Sequence, residues 1–400
     1  MSKGQYWSIV WFSLNVKELT RKMRIAYITN AEKDSGVGHR ALNIARRLKK
    51  QGDVELDVFA MNGEEMTVKK NGVLATTLPK WPGALGKKTV GWVRLGRVVK
   101  SMVARGNYDV VHLTNQTLSF LVDKSAPSVV TVHDIIEVLD PQTRGGYLVN
   151  KYLYSGIKQA DHIIAVSRYT AGAVREHYGV PENKISIIYN GVGDEFHLID
   201  GFRQSIAYQA LRQELKLGEA AKVVLYVGSD HPRKNVVGAV RAFAQMRERR
   251  PELVFVKVGE PGIKAGRAQL LGEVDRLDMR GAVRFVGAVP DEQLNELYNL
   301  AGVLICPSRF EGFGLPPLQA MKCGTPVVCS KATSLPEVVG DAALTHEPDD
   351  TEGLANSAQR ILENGDLARR FRAKGLARAK MFSWEAAAND VRGVYKKLSK

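Results

Sequence analysis

The feature that most constrains the fold is an alternation of short apolar strands and helical segments that stops once and then restarts. Apolar runs before the break include Arg24–Thr29 and Ser128–Val132, and those after it include Lys222–Val227 and Val303–Cys306. Continuous apolar strands separated by amphipathic helices indicate parallel sheets covered on both faces. The sequence therefore predicts an α/β protein with two doubly wound, Rossmann-like domains, in which ligands bind in a crevice at the carboxyl ends of the strands.

The break also sets the expected domain boundaries. A chain of 400 residues is too long for one hydrophobic core, since single cores stop growing at roughly 250–300 residues. We expect an N-terminal extension (residues 1–22), a first domain (23–195), a linker (196–220), a second domain (221–380) and a terminal helix (381–400). The extension fits neither a cleavable signal nor a membrane span, so we expect it to be dispensable.

The charge distribution suggests an anionic partner, because the net charge is +15. A stretch that we call the basic segment (residues 66–108) has no acidic residue and nine basic ones: Lys69, Lys70, Lys80, Lys87, Lys88, Arg94, Arg97, Lys100 and Arg105. Its second half is a predicted amphipathic helix with Leu95 and Val99 on the apolar side. One interpretation is an ordinary helix with solvated cations. The other is a patch that binds an anionic membrane or an acceptor, formed by Lys87, Lys88, Arg94, Arg97, Lys100 and Arg105.

In the first domain, two short motifs follow predicted strands. Ser35-Gly36-Val37-Gly38 opens a helix, where glycines allow close approach of a ligand and the helix N-terminus favours an anion. A tight turn without a ligand explains the same residues. His133 comes directly after Ser128–Val132, at a carboxyl end where such domains present functional side chains, although a lone histidine is often structural.

In the second domain, the turn Gly228-Ser229-Asp230-His231-Pro232-Arg233-Lys234 combines glycine with two adjacent cations, which suits a diphosphate, although charged turns are common. The strongest signal is the glycine-rich link around Glu311, between a strand ending at Cys306 and a predicted helix near Pro316. A carboxylate there can accept sugar hydroxyls while free N–H groups bind phosphate; the alternative is that it caps its own helix.

The cysteines and acidic residues show no metal-ligand spacing. Cys306, Cys323 and Cys329 are odd in number and are interpreted as small apolar fillers in a reducing compartment. We therefore expect no metal and no bound cofactor.

Several motifs together resemble the family 4 retaining glycosyltransferases of the GT-B fold, and bacterial and archaeal mannosyltransferase-like members in particular. The likeness runs from about Met23 to the C-terminus, with the motifs in family order. They are Glu311-Gly-Phe-Gly-Leu-Pro, Gly324-Thr-Pro-Val-Val, Ser334-Leu-Pro-Glu-Val-Val-Gly-Asp-Ala-Ala, Pro232-Arg-Lys-Asn, His133-Asp134, Asn190-Gly191-Val192 and Phe382-Ser383-Trp384.

The resemblance implies a role for each matching residue. Lys234, with Arg233, would hold the donor diphosphate, Glu311 would bind hydroxyls of the donor sugar, and His133 would contact the sugar near the reacting carbon. Further donor contacts would come from both domains: Gly36, Gly38, Gly228, Ser229, Gly312, Phe313, Gly314, Leu315, Gln319, Thr333, Ser334 and Leu335. The terminal helix would cross back to the first domain.

One position departs from the family pattern. The family has a second glutamate eight residues after the first, where it grips the ribose hydroxyls, and this chain has Gln319 there. A neutral amide accepts one hydroxyl hydrogen bond but loses the charge-assisted pair, worth about 1–2 kcal/mol. Donor affinity and nucleotide preference are the properties that this change affects.

The expected function is therefore the retaining transfer of a hexose, of mannose or glucose type, from a nucleoside-diphosphate sugar to a glycan or lipid-linked acceptor. A nucleotide-sugar epimerase or a phosphorylase of the same fold is the alternative, because a fold alone does not define a reaction. A nucleic-acid-binding protein fits the charge but no recognition motif. We expect a cytoplasmic protein, peripheral on the inner membrane face if the basic segment binds lipid.

Overall fold

The computed structural model describes residues 21–30, 35–62, 67–78, 87–141 and 144–399. The expected N-terminal extension lies almost entirely outside the described residues, and so does Lys80. No helix within these ranges is both long and apolar enough to cross a bilayer.

The first sheet has eight strands in the order β4-β3-β2-β1-β5-β6-β7-β8, and its core pairings are parallel. The antiparallel hairpin β3–β4 extends one edge. The strands are β1 Met23–Thr29, β2 Val54–Asn62, β3 Thr67–Lys70, β4 Val73–Thr77, β5 Val110–Leu113, β6 Ser128–Val132, β7 His162–Ala165 and β8 Ile185–Ile187.

Helices cover both faces of this sheet because each has one apolar side. They are α1 Gly36–Leu48, α2 Lys87–Ala104, α3 Ile136–Leu139, α4 Arg144–Leu153 and α5 Arg168–Tyr178, with a 3-10 helix at Gln116–Leu121. Leu95 and Val99 of α2 are fully buried, which confirms the apolar side predicted for this helix. The packing of this apolar side on the sheet explains the helical periodicity of the basic segment without a ligand.

The second sheet has six parallel strands in the order β11-β10-β9-β12-β13-β14. The strands are β9 Lys222–Val227, β10 Leu253–Val258, β11 Val283–Val286, β12 Val303–Cys306, β13 Val327–Ser330 and β14 Ala343–His346. The helices are α6 Ile206–Glu214, α7 Val236–Arg249, α8 Lys264–Arg276, α9 Asp291–Leu300, α10 Leu315–Lys322, α11 Leu335–Val339, α12 Thr351–Glu363, α13 Gly365–Ala379 and α14 Trp384–Leu398. The three cysteines are buried and unpaired, as apolar fillers would be.

The chain passes between the domains twice, and the two passages touch. Val192 N donates to Phe382 O at 3.2 Å, and a Cβ at Gly191 would lie 2.3 Å from Trp384 N, so only glycine fits there. We call residues 189–192 and 382–384 the hinge. Beyond it, α14 packs on α1 with Tyr395 fully buried in the core of the first domain. The predicted return of the terminal helix is confirmed.

Candidate active site

A lysine–carboxylate pair lies at the carboxyl end of the second sheet. Lys234 Nζ donates to both carboxylate oxygens of Glu311 at 2.7 Å, and Ser308 Oγ donates to Glu311 Oε1 at 2.8 Å. Glu311 follows β12 and Lys234 follows β9, which are neighbouring strands, so their side chains meet at one edge. Helix α10 begins without a side-chain cap, so the interpretation of Glu311 as a cap of its own helix is wrong.

Glu311 is buried and ionised. Burial acts to raise the pKa of its carboxyl, but the charges of Lys234 and Arg233 and the hydrogen bonds outweigh burial and hold that pKa below its usual value. An ammonium has three donors, of which two serve Glu311, so one remains for a ligand oxygen. Glu311 Oε2 also keeps a lone pair for a hydroxyl donor.

Backbone contacts fix the loop that carries Glu311. Thr333 Oγ1 accepts from Glu311 N at 2.9 Å, and Ser334 Oγ lies 2.9 Å from the carbonyl oxygens of both Glu311 and Phe313. Thr333 has a φ of 52°, which is a strained backbone conformation for a threonine. These hydroxyls hold the loop in place, and phosphate contacts from Thr333, Ser334 and Leu335 stay a prediction.

His133 presents a neutral imidazole from the first domain. It follows β6, is buried, and its Nε2 lies 3.0 Å from Thr114 O. Burial, and then the charge of Arg40, lower its pKa to about 3. Because a carbonyl oxygen only accepts, Nε2 carries the proton and Nδ1 is the ring's acceptor.

The two domains touch at the predicted donor-binding residues. A Cβ at Gly312 would lie 2.2 Å from His133 O, and a Cβ at Gly36 would lie 3.3 Å from a methyl group of Leu315. Gly314 has a φ of 108°, a conformation that favours glycine. The structure therefore brings Gly36 and His133 of the first domain against the Glu311–Leu315 loop of the second.

The cationic turn of the second domain is tied to the same loop. Arg233 O accepts from Arg309 N at 2.7 Å and from Phe310 N at 3.3 Å. Gly228 and Ser229 lie at the start of this turn, where Tyr226 Oη donates to Ser229 O at 3.2 Å. Backbone hydrogen bonds thus join the cationic turn to the glutamate loop.

Gln319 lies on α10, half-buried, and Tyr298 Oη donates to its Oε1 at 3.0 Å. A glutamate at this position would keep the tyrosine hydrogen bond through one oxygen. Its second oxygen would remain for a ligand hydroxyl.

We expect Gln319→Glu to tighten nucleoside diphosphate binding by about 5–30-fold, since a charge-assisted hydrogen bond replaces a neutral one at a gain of about 1–2 kcal/mol. Calorimetry with UDP and GDP measures the change in affinity. Gln319→Leu is the control, because leucine offers neither an amide nor a carboxylate oxygen as acceptor. Unchanged or weaker binding of every nucleoside diphosphate would show that Gln319 does not face the ribose.

Sequence reasoning missed Arg40, which is buried beside the hinge. Its Nη1 donates to Asn190 Oδ1 at 2.7 Å and to Tyr189 O at 3.2 Å, while Nη2 is buried without a hydrogen-bond partner in the described structure. Burial lowers its pKa to about 10. Its place two residues after Gly38 was the available signal, but a charged residue near the start of a helix is usually expected to be exposed.

Two cations of the basic segment form ion pairs with acidic residues that lie outside the segment in the sequence. Lys70 forms an ion pair with Asp57 at 2.9 Å and Lys100 with Asp123 at 3.1 Å, so acids of neighbouring elements neutralise two of the cations. Arg97 and Arg105 are exposed, Arg94 is half-buried, and the side chains of Lys87 and Lys88 lie outside the described structure. The presence of Lys70 and Lys100 in the segment is therefore explained within the first domain, without an external anion.

The described residues contain no group of three or more His, Cys, Asp or Glu side chains placed to hold a metal ion.

The structure thus combines two mainly parallel sheets with a lysine–glutamate pair at the carboxyl end of the second one. The sequence matches the family described as "Glycosyl transferases group 1" over residues 208–378 and "Glycosyltransferase Family 4" over residues 35–196. It is 32% identical over 284 residues to the O-antigen chain mannosyltransferase B of Escherichia coli, covering 70% of this chain and 72% of that protein. The chain belongs to the family 4 glycosyltransferases of the GT-B fold.

Other relatives agree with this assignment. Over 290 residues the chain is 32% identical to the serotype-specific mannosyltransferase WbdA of Escherichia coli, covering 70% of this chain but only 34% of that longer protein. Among solved structures, Anabaena Alr3699/HepE in complex with UDP-glucose superposes with a TM-score of 0.75 at 20% identity, over 94% of this chain and all of that one. At that identity the likeness concerns the fold.

Proposed function

We propose that the chain transfers a hexose, of mannose or glucose type, from a nucleoside-diphosphate sugar to a glycan or lipid-linked acceptor with retention at the anomeric carbon. The single observation that carries the proposal is the pair formed by Lys234 and Glu311 opposite His133. The similarity to mannosyltransferases favours mannose, and the fold shared with a UDP-glucose complex supports a nucleotide-sugar donor.

In this reaction the bond between the anomeric carbon and the diphosphate oxygen breaks, and the acceptor oxygen bonds to that carbon on the same face. The acceptor hydroxyl's proton goes to the departing phosphate oxygen. Lys234 and Arg233 would stabilise the negative charge that develops on the diphosphate, which is preorganised electrostatic catalysis without a metal or cofactor. Glu311 would hold the sugar hydroxyls.

His133 would serve as a neutral acceptor near the reacting carbon. Because its pKa is about 3, the ring stays uncharged at neutral pH and does not repel an oxocarbenium-like centre. Its Nδ1 can accept a hydrogen bond from a sugar hydroxyl.

A donor panel tests the proposal. The purified chain is incubated with UDP- and GDP-sugars and a mannose-terminated acceptor, free or lipid-linked, while nucleoside diphosphate release is followed. We expect release to require an acceptor, and NMR of the product to show the donor's anomeric configuration. Sugar isomerisation without nucleotide release would instead establish an epimerase.

A peripheral membrane site is the second part of this proposal. Leu148, Val149 and Tyr152 of α4 are exposed, and we call them the α4 apolar face. Helices α4 and α2 both pack on the 3-10 helix Gln116–Leu121, so α4 lies close to the helix that carries the second half of the basic segment. No acidic residue occurs in α4. Exposed apolar and aromatic groups next to cations fit an anionic bilayer.

We expect the chain to sediment with vesicles that contain phosphatidylglycerol, and not with pure phosphatidylcholine. Changing Arg94, Arg97 and Arg105 to glutamate should weaken binding by more than about 100-fold, since each cation contributes about 1 kcal/mol. The control changes Arg249, Arg370 and Lys380, exposed cations of the second domain, in the same way. Equal binding to both kinds of vesicle would contradict a membrane role for the basic segment.

A further inference from the structure

The first turn of α5 is held by a side chain from the other domain. Glu337, on α11 of the second domain, accepts from Arg168 N at 2.9 Å and from Tyr169 N at 3.0 Å. The N–H groups at the start of a helix have no partner within the helix, so an external carboxylate stabilises them strongly. The cap residue Ser167 serves only the next donor, Thr170 N, at 3.0 Å.

The same carboxylate also binds the hinge. Tyr189 Oη donates to Glu337 Oε2 at 3.0 Å, and burial, followed by the charge of Glu337, raises the pKa of this tyrosine. Glu337 is itself fixed, because Arg378 Nη2 donates to its carbonyl oxygen at 2.5 Å. One carboxylate thus joins the second domain, a helix of the first domain and a hinge residue.

The helix that Glu337 holds lies directly against the loops that carry His133 and Gly312. Thr170 Oγ1 is 3.3 Å from His133 O and 3.4 Å from Gly312 O, so it bridges the two loops that meet across the cleft. The ring of Tyr169 packs edge-on against Phe310 with centroids 5.6 Å apart. A shift of α5 relative to α11 would therefore displace His133 from the donor loop.

We propose that Glu337 is a positioning residue that sets the angle between the two domains and so the position of His133 relative to the donor sugar. It touches neither substrate nor reacting atoms in this role. The inference rests on the proposed function for its effect on turnover, while the effect on domain angle is independent of any substrate. It also explains why a carboxylate, rather than an amide, is suited to this position: all three of its partners are donors.

The substitution Glu337→Gln tests the role with little change in volume. The glutamine side chain has one acceptor oxygen and one NH2 group, whereas both oxygens of the Glu337 carboxylate accept hydrogen bonds. In either orientation of the amide, the NH2 group faces a backbone N–H donor, so at least one of the three hydrogen bonds is replaced by a repulsive contact. We expect kcat to fall by about tenfold or more with the donor KM within about threefold of wild type, since misplacement of reacting groups lowers turnover more than binding. Asn364→Ala is the control, because Asn364 Oδ1 caps α13 within the second domain, accepting from Leu367 N at 3.0 Å.

Domain angle is measured with spin labels at Lys158→Cys and Glu248→Cys, exposed positions on the first and second domains. The native cysteines are buried, so labelling is directed to these two sites. We expect Glu337→Gln to shift or broaden the distance distribution, and Asn364→Ala to leave both the distribution and kcat at the wild-type values. An unchanged distribution, or an unchanged kcat, in Glu337→Gln would overturn the proposal.

A further variant covers the case in which Glu337→Gln does not fold. Tyr189→Phe removes only one of the three hydrogen bonds, and it should change the distance distribution in the same direction. If the wild-type protein binds neither UDP nor GDP, the proposed function fails, and the distance measurement by itself then decides whether Glu337 sets the domain angle.

Discussion

Glu311→Ala and Lys234→Ala are each expected to lower transfer by at least ~100-fold, the scale of lost transition-state stabilisation. Lys234→Ala leaves the buried Glu311 carboxylate without its counterion, and Glu311→Ala does the same to the half-buried Lys234 ammonium, because the pair is joined at 2.7 Å through both carboxylate oxygens. Steady-state kinetics with the donor that the panel identifies measures the loss.

Folding must be monitored alongside, because breaking a buried ion pair also destabilises the protein by about 3–5 kcal/mol. Glu311→Gln is the matched variant: it retains an acceptor for Lys234 and for a sugar hydroxyl but loses the charge. Circular dichroism and thermal unfolding separate loss of structure from loss of chemistry. A folded Glu311→Ala or Lys234→Ala protein with near-normal kcat/KM would remove these residues from the active site.

Gly312→Ala is expected to lower turnover by about 100-fold, because a shift of about 1 Å between reacting groups has an effect of that size. The added Cβ would lie 2.2 Å from His133 O, a backbone atom that cannot rotate away, so the two domains must separate. The backbone of Gly312 does not have a positive φ, so alanine introduces no strain of its own.

The control for this steric effect is Gly272→Ala on α8, where an added Cβ would meet nothing within 4 Å. Alanine in a helix interior is favourable by about 1 kcal/mol relative to glycine, so this variant should be as stable as wild type or more stable. Wild-type turnover in Gly312→Ala would mean that the contact between Gly312 and His133 is not maintained in the reacting enzyme.

Particular segments show what the sequence alone could predict. Strands such as β6 and β9 were predicted at their observed bounds because they are continuous apolar runs of strand length. Helix α14 likewise lies within residues 381–400, where a terminal helix was predicted, and in the structure Ser383 caps it. The hairpin β3–β4 was missed although its turn is Asn71-Gly72, the usual hairpin dipeptide, because its strands have only four and five residues, β3 is largely polar and β4 is largely exposed.

The residues of the candidate site were predictable from the sequence, but the contacts between them were not. Glycines, a carboxylate and cations after strands are local signals, so the sequence by itself determined which residues line the carboxyl ends of the two sheets and, through their family pattern, the class of enzyme. Which of them meet depends on the angle between two independently folded domains. Only the tertiary structure placed Gly312 against His133 and paired Glu311 with Lys234, so that Glu311 does not cap α10. It also buried Arg40 beside the hinge and brought the Glu337 carboxylate to the first turn of α5 in the other domain. Contacts between residues more than seventy positions apart leave no periodicity in the chain, because they are decided by packing and not by local conformation.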